Sequence, residues 1–257
     1  MHMADALLTP AVAGVMYAAS AVVAGASIVE LHKEEKQDLT STGKKLPTMA
    51  VMSALVFAGQ MINYTIPGTG SSGHLCGGLL LTSVLGPWAG FLSMIVILTI
   101  QSLFFADGGL MALGANVWNM AFYGCFVGYF LIYRPLMRSR CFARRGERAA
   151  NRLKITLASV LGCVLTLQLG AFSVVLETTL SGITDLPFGA FCAIMQPIHL
   201  AIGLIEGLIT AAVLLFLYEA RPELLRDVCT GGETAGKVSF KGTIAVIALA
   251  ALSLIHI

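Results

Sequence analysis

Residues 76–105 read CGGLLLTSVLGPWAGFLSMIVILTIQSLFF, thirty residues without one charge. A membrane-spanning helix takes about 20 apolar residues, so this run is too long for one straight span. Gly86-Pro87 interrupts it. Proline either breaks a helix or opens a new one. The stretch therefore predicts a short helix over 75–85 and a full one over 88–105. Eleven residues rise only about 16 Å at about 1.5 Å each, roughly half a bilayer. So short a helix is tolerated only when it is buried among others or lines a cavity.

Working outward, further apolar runs cover 10–31, 48–64, 109–133, 151–180 and 187–218. Thr9-Pro10 opens the first of them as cap and first helical residue. The chain of 257 residues is 57% apolar and 12% charged, with a mean hydropathy of +0.84. Soluble domains carry about 25% charge, so this composition cannot cover a soluble globule. The expected fold is all-α, a polytopic bundle of seven helices in the cell membrane, multi-pass, with the lipid bilayer as its solvent and no nucleic acid as partner. Residues 1–220 form that bundle. Residues 221–257 read as a cytoplasmic linker and a candidate extra helix, because the run 243–257 would be an eighth span if it crosses. No signal peptide is read at the start, where Asp5 precedes the first apolar run and no basic segment leads it.

The placement of charge orients the bundle. Lys33, Lys36, Lys44 and Lys45 lie between the first two helices. Eight more basic residues lie between Arg134 and Lys154, and Arg221, Arg226, Lys237 and Lys241 follow the seventh helix. The segments 1–9, 64–74, 105–109 and 180–187 have none. Basic loops stay in the cytoplasm. They share one side only if 75–105 crosses twice, which supports the break at Gly86-Pro87 independently. The N-terminus then faces outward, as does the Gly-rich loop GTGSSGHLCGG over 68–78.

The chain begins Met1-His2-Met3. A free α-amine, the amide nitrogen of residue two and that residue's imidazole Nδ1 close fused five- and six-membered rings on one metal ion. Three nitrogens then lie in a plane, a set that selects Ni(II) or Cu(II) over tetrahedral zinc. The alternative is an incidental histidine in a frayed terminus. His74, on the same outer side, is a candidate fourth nitrogen, or else a solvent-facing loop residue. Asp107 in FADGG would cap the helix from Gly109 or orient a ligating histidine, and Asp5 is a similar candidate. His199 and Glu206 are seven apart and share a helix face. Ionisable groups inside a span usually mark function. Asn116, Asn119, Gln101, Gln168 and Gln196 are either interhelical glue or support for a site. The six cysteines, 76, 125, 141, 163, 192 and 229, form no C-x-x-C pair and read as small buried hydrophobes. There is no nucleotide-binding P-loop, no H-E-x-x-H and no G-x-S-x-G. No enzyme activity is expected, and uphill transport would need energy from a partner or an ion gradient.

Four stretches in order, MHMADALLTPAVAG, GTGSSGHLCGGLL, FFADGGLMALGANVWNMA and PIHLAIGLIEGLIT, resemble the substrate-binding membrane components of cobalt/nickel energy-coupling-factor importers, the CbiM/NikM family. The resemblance covers about residues 1–220. It implies metal binding by the Met1 amine, the His2 amide and ring, and His74, with Ni²⁺ or Co²⁺ as transported substrate and nothing bound permanently. It implies two cytoplasmic ATPase subunits, a transmembrane coupling subunit and often a small accessory membrane protein as partners. The MHMADAL start is closer to nickel members than to cobalt members, which serve cobalamin synthesis. The tail from about 240 resembles the first helix of a fused accessory protein without its second. An ion-gradient-driven permease for a small substrate, with His199 and Glu206 as proton relay, is the rival reading.

Overall fold

The computed structural model of the chain describes residues 1–37, 42–139 and 146–228. Seven helices carry the bundle: α1 Pro10–Gln37, α2 Thr42–Gln60, α3 Gly78–Leu85, α4 Pro87–Phe104, α5 Leu113–Arg138, α6 Glu147–Ser181 and α7 Phe188–Ala220. Five of them, α1 and α4 to α7, are long and apolar enough to cross a membrane. Large apolar side chains such as Val15, Val22, Phe104, Leu131 and Leu180 are exposed on the outer surface of the bundle, where lipid rather than water is their natural neighbour. The protein is a multi-pass membrane protein.

The break read from the sequence is present. Gly86 sits at φ 89°, a conformation that favours glycine, and Pro87 opens α4. All eight residues of α3 are buried, as a helix shorter than the bilayer requires. It starts later than the expected residue 75, because residues 75–77 belong to no regular element and Gly77 turns at φ 75°.

The run expected as helix to residue 64 stops at Gln60. Asn63–Ile66 instead forms strand β1, paired antiparallel with β2, Ser71–His74, in the register Asn63↔His74. Tyr64, Thr65 and Ile66 favour a pleated surface, and Pro67 with Gly68 and Gly70 at positive φ makes the turn. Thus the Gly-rich loop is half of a hairpin. The fifth helix begins at 113, because residues 109–112 are committed to contacts with the N-terminal segment. Over residues 117–133 its hydrogen bonds reach five residues back, as from Arg134 N–H to the Tyr129 carbonyl.

Helices α6 and α7 pack closely. A Cβ on Gly203 would stand 2.9 Å from Val164 Cα, and one on Gly207 2.6 Å from Val160 Cα. This G-x-x-x-G pair lets the two backbones touch. Gln168 and Gln196 tie the same helices by reciprocal amide contacts of 2.9 and 3.4 Å. At the basic end, residues 222–228 fold back under α3. Arg226 N–H donates to the Ser83 carbonyl at 2.9 Å. Asp227 takes Arg138 at 2.5 Å and the Tyr129 hydroxyl. Cys76, Cys125 and Cys163 are buried and Cys192 is partly so. Cys141, Cys229 and the run 243–257 lie outside the described residues.

Candidate metal centre

The N-terminal segment is docked. Met1, His2 and Met3 are buried, and Met3 bridges Ser71 in antiparallel fashion, so residues 1–3 run beside β2 as a third strand. Ser72 N–H donates to the His2 carbonyl at 3.2 Å. The Met1 amine donates to the Ser72 carbonyl. Asn116, from α5, satisfies the other edge: its Oδ1 accepts from Met3 N–H at 2.8 Å and its Nδ2 donates to the Met3 carbonyl at 3.3 Å. The Met1 side chain fills a seat at Gly170, where a Cβ would come within 2.6 Å of Met1 Sδ. Asn119 spans from Met3 Sδ (3.7 Å) to Glu177 Oε2 (2.8 Å).

Against this strand the His2 and His74 rings stack, centroids 4.5 Å apart and 29° between planes. His74 Nδ1 is 2.6 Å from the Leu75 carbonyl, which fixes the proton on Nδ1 and leaves the Nε2 lone pair bare. That nitrogen is buried and has no hydrogen-bond partner. The neighbouring backbone is clamped from α7: Glu206 Oε2 accepts from Cys76 N–H at 2.6 Å and Oε1 from Gly77 N–H at 2.9 Å. Gln101 donates to Gln60 at 2.9 Å, and Gln60 to the Cys76 carbonyl at 2.5 Å.

Burial sets the charge state of the three nitrogen bases. It lowers the Met1 amine from 8.0 to about 5, against the opposing pull of Cys76, Asp107 and Glu206. It lowers His2. His74 falls well below the usual range, through burial first and then through the charges of the amine and His2. At neutral pH all three carry free lone pairs. Asp107 is the carboxylate that faces His2, its Oδ1 3.0 Å from His2 Nδ1 and its Oδ2 taking Asn63 Nδ2 at 2.6 Å. The approach to His2 is not aligned as a hydrogen bond. Burial raises the Asp107 carboxyl, but His2 and Asn63 outweigh that and hold it below the usual range.

Capping of the helix after Gly109 falls to Asp5, not Asp107: Asp5 Oδ1 accepts from Ala112 N–H at 2.9 Å. An open cavity of about 480 Å³ lies over His2, lined by Asp5, Ser72, Ser102 and Asp107 among others. His199 is buried in α7, its Nδ1 2.8 Å from the Met195 carbonyl. Among the described residues no three His, Cys, Asp or Glu side chains converge as a metal cluster. A chelate here would draw on main-chain nitrogens instead. Glu177, Gly170 and Ser72 were not singled out from sequence. Glu177 was findable, as a carboxylate inside a predicted span. Ser72 contributes only its backbone, which no side-chain pattern announces.

Residues 2–224 match the family described as "Cobalt uptake substrate-specific transmembrane region". The chain is 39% identical over 237 residues to a putative fused nickel transport protein, NikMN, of Archaeoglobus fulgidus, covering 91% of this chain and 71% of that one. It is 33% identical over 181 residues to the cobalt transport protein CbiM of Sorangium cellulosum, covering 70% and 76%. A crystal structure of a truncated transition metal transporter superposes with a TM-score of 0.72 at 31% identity, covering 86% of this chain and 99% of that one. The chain belongs to the CbiM family.

Proposed function

We propose that this protein is the substrate-capture component of an ATP-driven nickel importer. It binds Ni²⁺ from the outer side through the Met1 amine, the His2 amide and Nδ1, and His74 Nε2. One observation carries the reading: the His2 and His74 rings stack in a buried site, and both His2 ring nitrogens and His74 Nε2 have no hydrogen-bond partner. Buried polar atoms are nearly always satisfied, so such a set is matched to a cation. The His2 imidazole would turn from Asp107 toward its own amide to complete the planar chelate. Charge then balances: Ni²⁺, one amidate and the Asp107 carboxylate sum to zero, which removes most of the penalty for burying a dication. The cavity over His2 is the approach from outside.

The same donor set accepts Co²⁺, and relatives named for cobalt make that the second reading. A proton-relay permease finds less support, because both Glu206 oxygens already hold backbone N–H groups. No ATP-binding motif is present, so the work of transport falls to two cytoplasmic ATPases acting through a transmembrane coupling subunit, with a small accessory membrane protein.

Adding three alanines before Met1 tests the chelate directly, because a single one would place histidine third and create a new planar chelate from the amine, two amides and the ring. The extension moves the amine off the five-membered ring and out of its seat. We expect nickel affinity to fall by about two orders of magnitude or more, since the free energy of a metal site depends on its full donor set, and the absorption band of planar Ni(II) to vanish. His2→Ala and His74→Ala should each do the same. Retention of the planar band in the extended protein sinks the assignment. Competition between Ni²⁺ and Co²⁺ on the native terminus ranks the two substrates.

A further inference from the structure

His199 shares two features with His74. Its Nδ1 is committed to a backbone carbonyl, Met195 O at 2.8 Å, so its Nε2 carries a bare lone pair. That Nε2 is buried without a partner. The residue is wholly inaccessible and lies on the α7 face that packs against β2: a Cβ on Gly73 would meet Ile202 Cδ1 at 3.0 Å. One more turn along, Glu206 clamps Cys76 and Gly77. His199, Ile202 and Glu206 thus share the α7 face that meets the hairpin carrying His74. A core histidine kept only for packing would be expected to satisfy both nitrogens.

Resting on the capture site above, we propose that His199 Nε2 is a second-stage metal ligand, which with His74 Nε2 and water receives the dication when the N-terminal chelate lets go. The donors divide by the segment that carries them. The amine, the amide and the His2 ring ride on one short strand. His74 and His199 are fixed to the hairpin and the helical body. Withdrawing the strand leaves the metal on two imidazoles, and the His2 amide nitrogen takes one proton back from water. The metal stays divalent throughout. Two neutral donors hold it far more weakly than four with an amidate, and a cargo that must leave needs such a step.

The test uses the full chain in lipid nanodiscs, with Cu²⁺ as a probe whose bound imidazoles are counted by electron spin echo. The chain has five histidines, so His32 and His256 are first replaced by alanine to leave His2, His74 and His199. Adding His2→Ala should abolish the planar chelate and leave a weaker site showing two imidazoles. Adding His199→Asn, which keeps a donor for the Met195 carbonyl but no Nε2, should reduce the count to one. A count that His199→Asn does not change overturns the proposal. With the other histidines intact, His199→Asn should hold Ni²⁺ within about threefold of the parent, while uptake by the complete importer slows about tenfold or more, the scale of losing one metal-site interaction. Uptake at the parental rate overturns the proposal, and so does loss of capture, because a second-stage ligand is not needed to capture. Tight planar binding that survives His2→Ala would instead overturn the capture site itself.

Discussion

In the proposed site, the Met1 amine sets how metal capture responds to pH. Its pKa is lowered by burial from 8.0 to about 5. Between those values the seated amine is neutral, and an arriving metal has no proton to displace from it. The His2 amide must still ionise. Nickel affinity should therefore rise about tenfold per pH unit from pH 6 to 7.5, one proton released, where an exposed amine would give about a hundredfold. The docked state excludes the proton, so docking is strongest above pH 8 and weakens as pH falls. The slope should steepen toward about pH 5 as the amine becomes charged. Isothermal titration at several pH values reads this directly, and a slope of two at neutral pH refutes it. Met1, His2 and His74 were legible because chelate chemistry is written in residue order. Asp107 was legible only as one of two readings, a helix cap or the partner of a histidine, because spacing along the chain cannot choose between contacts so far apart in sequence.

Elements hold the ligands, and two intramembrane carboxylates do much of the holding. Glu206 grips the main chain two and three residues after His74, and Glu177 steadies Asn119 beneath Met3. Glu206→Gln keeps one acceptor and loses the other, leaving a buried N–H unsatisfied at a cost of about 1–3 kcal/mol. We expect a lower melting temperature in detergent, with nickel affinity reduced about tenfold, the usual range for supporting residues at a metal site. Unchanged affinity would confine Glu206 to fold stability. Gly207→Val pushes a branched side chain into Val160 Cα, which a Cβ alone would meet at 2.6 Å. This should part α6 from α7 and lower thermal stability sharply, measurable by the same melt, whereas Gly189→Val, where nothing lies within 4 Å, should be nearly silent. The sequence announced the helices through hydropathy and the break through Gly86-Pro87. It did not announce the hairpin, because two four-residue strands, NYTI and SSGH, are too short to carry a hydrophobic period.

At the scale of the molecule, one end of the bundle gathers, among the described residues, Arg138, Arg148 and Arg226, and the other gathers Asp5, Asp107 and the N-terminus. With native cysteines replaced by serine, Asp185→Cys should react with an impermeant maleimide in intact cells. Ala149→Cys, beside the basic loop, should react only after permeabilisation. The reverse pattern inverts the bundle and removes the outward path to His2. A consequence for biogenesis follows from the seating of residues 1–3. Their partners are Ser72, Asn116 and Gly170, contributed by a hairpin and two helices that emerge long afterwards from the ribosome. Contacts so distant in sequence close late. The earliest residues made must wait, exposed on the outer face, until α6 is threaded into the bilayer. The docked terminus is therefore the last part of this protein to mature, and a nascent chain that stalls before residue 170 has residues 1–3 in hand but no place to put them.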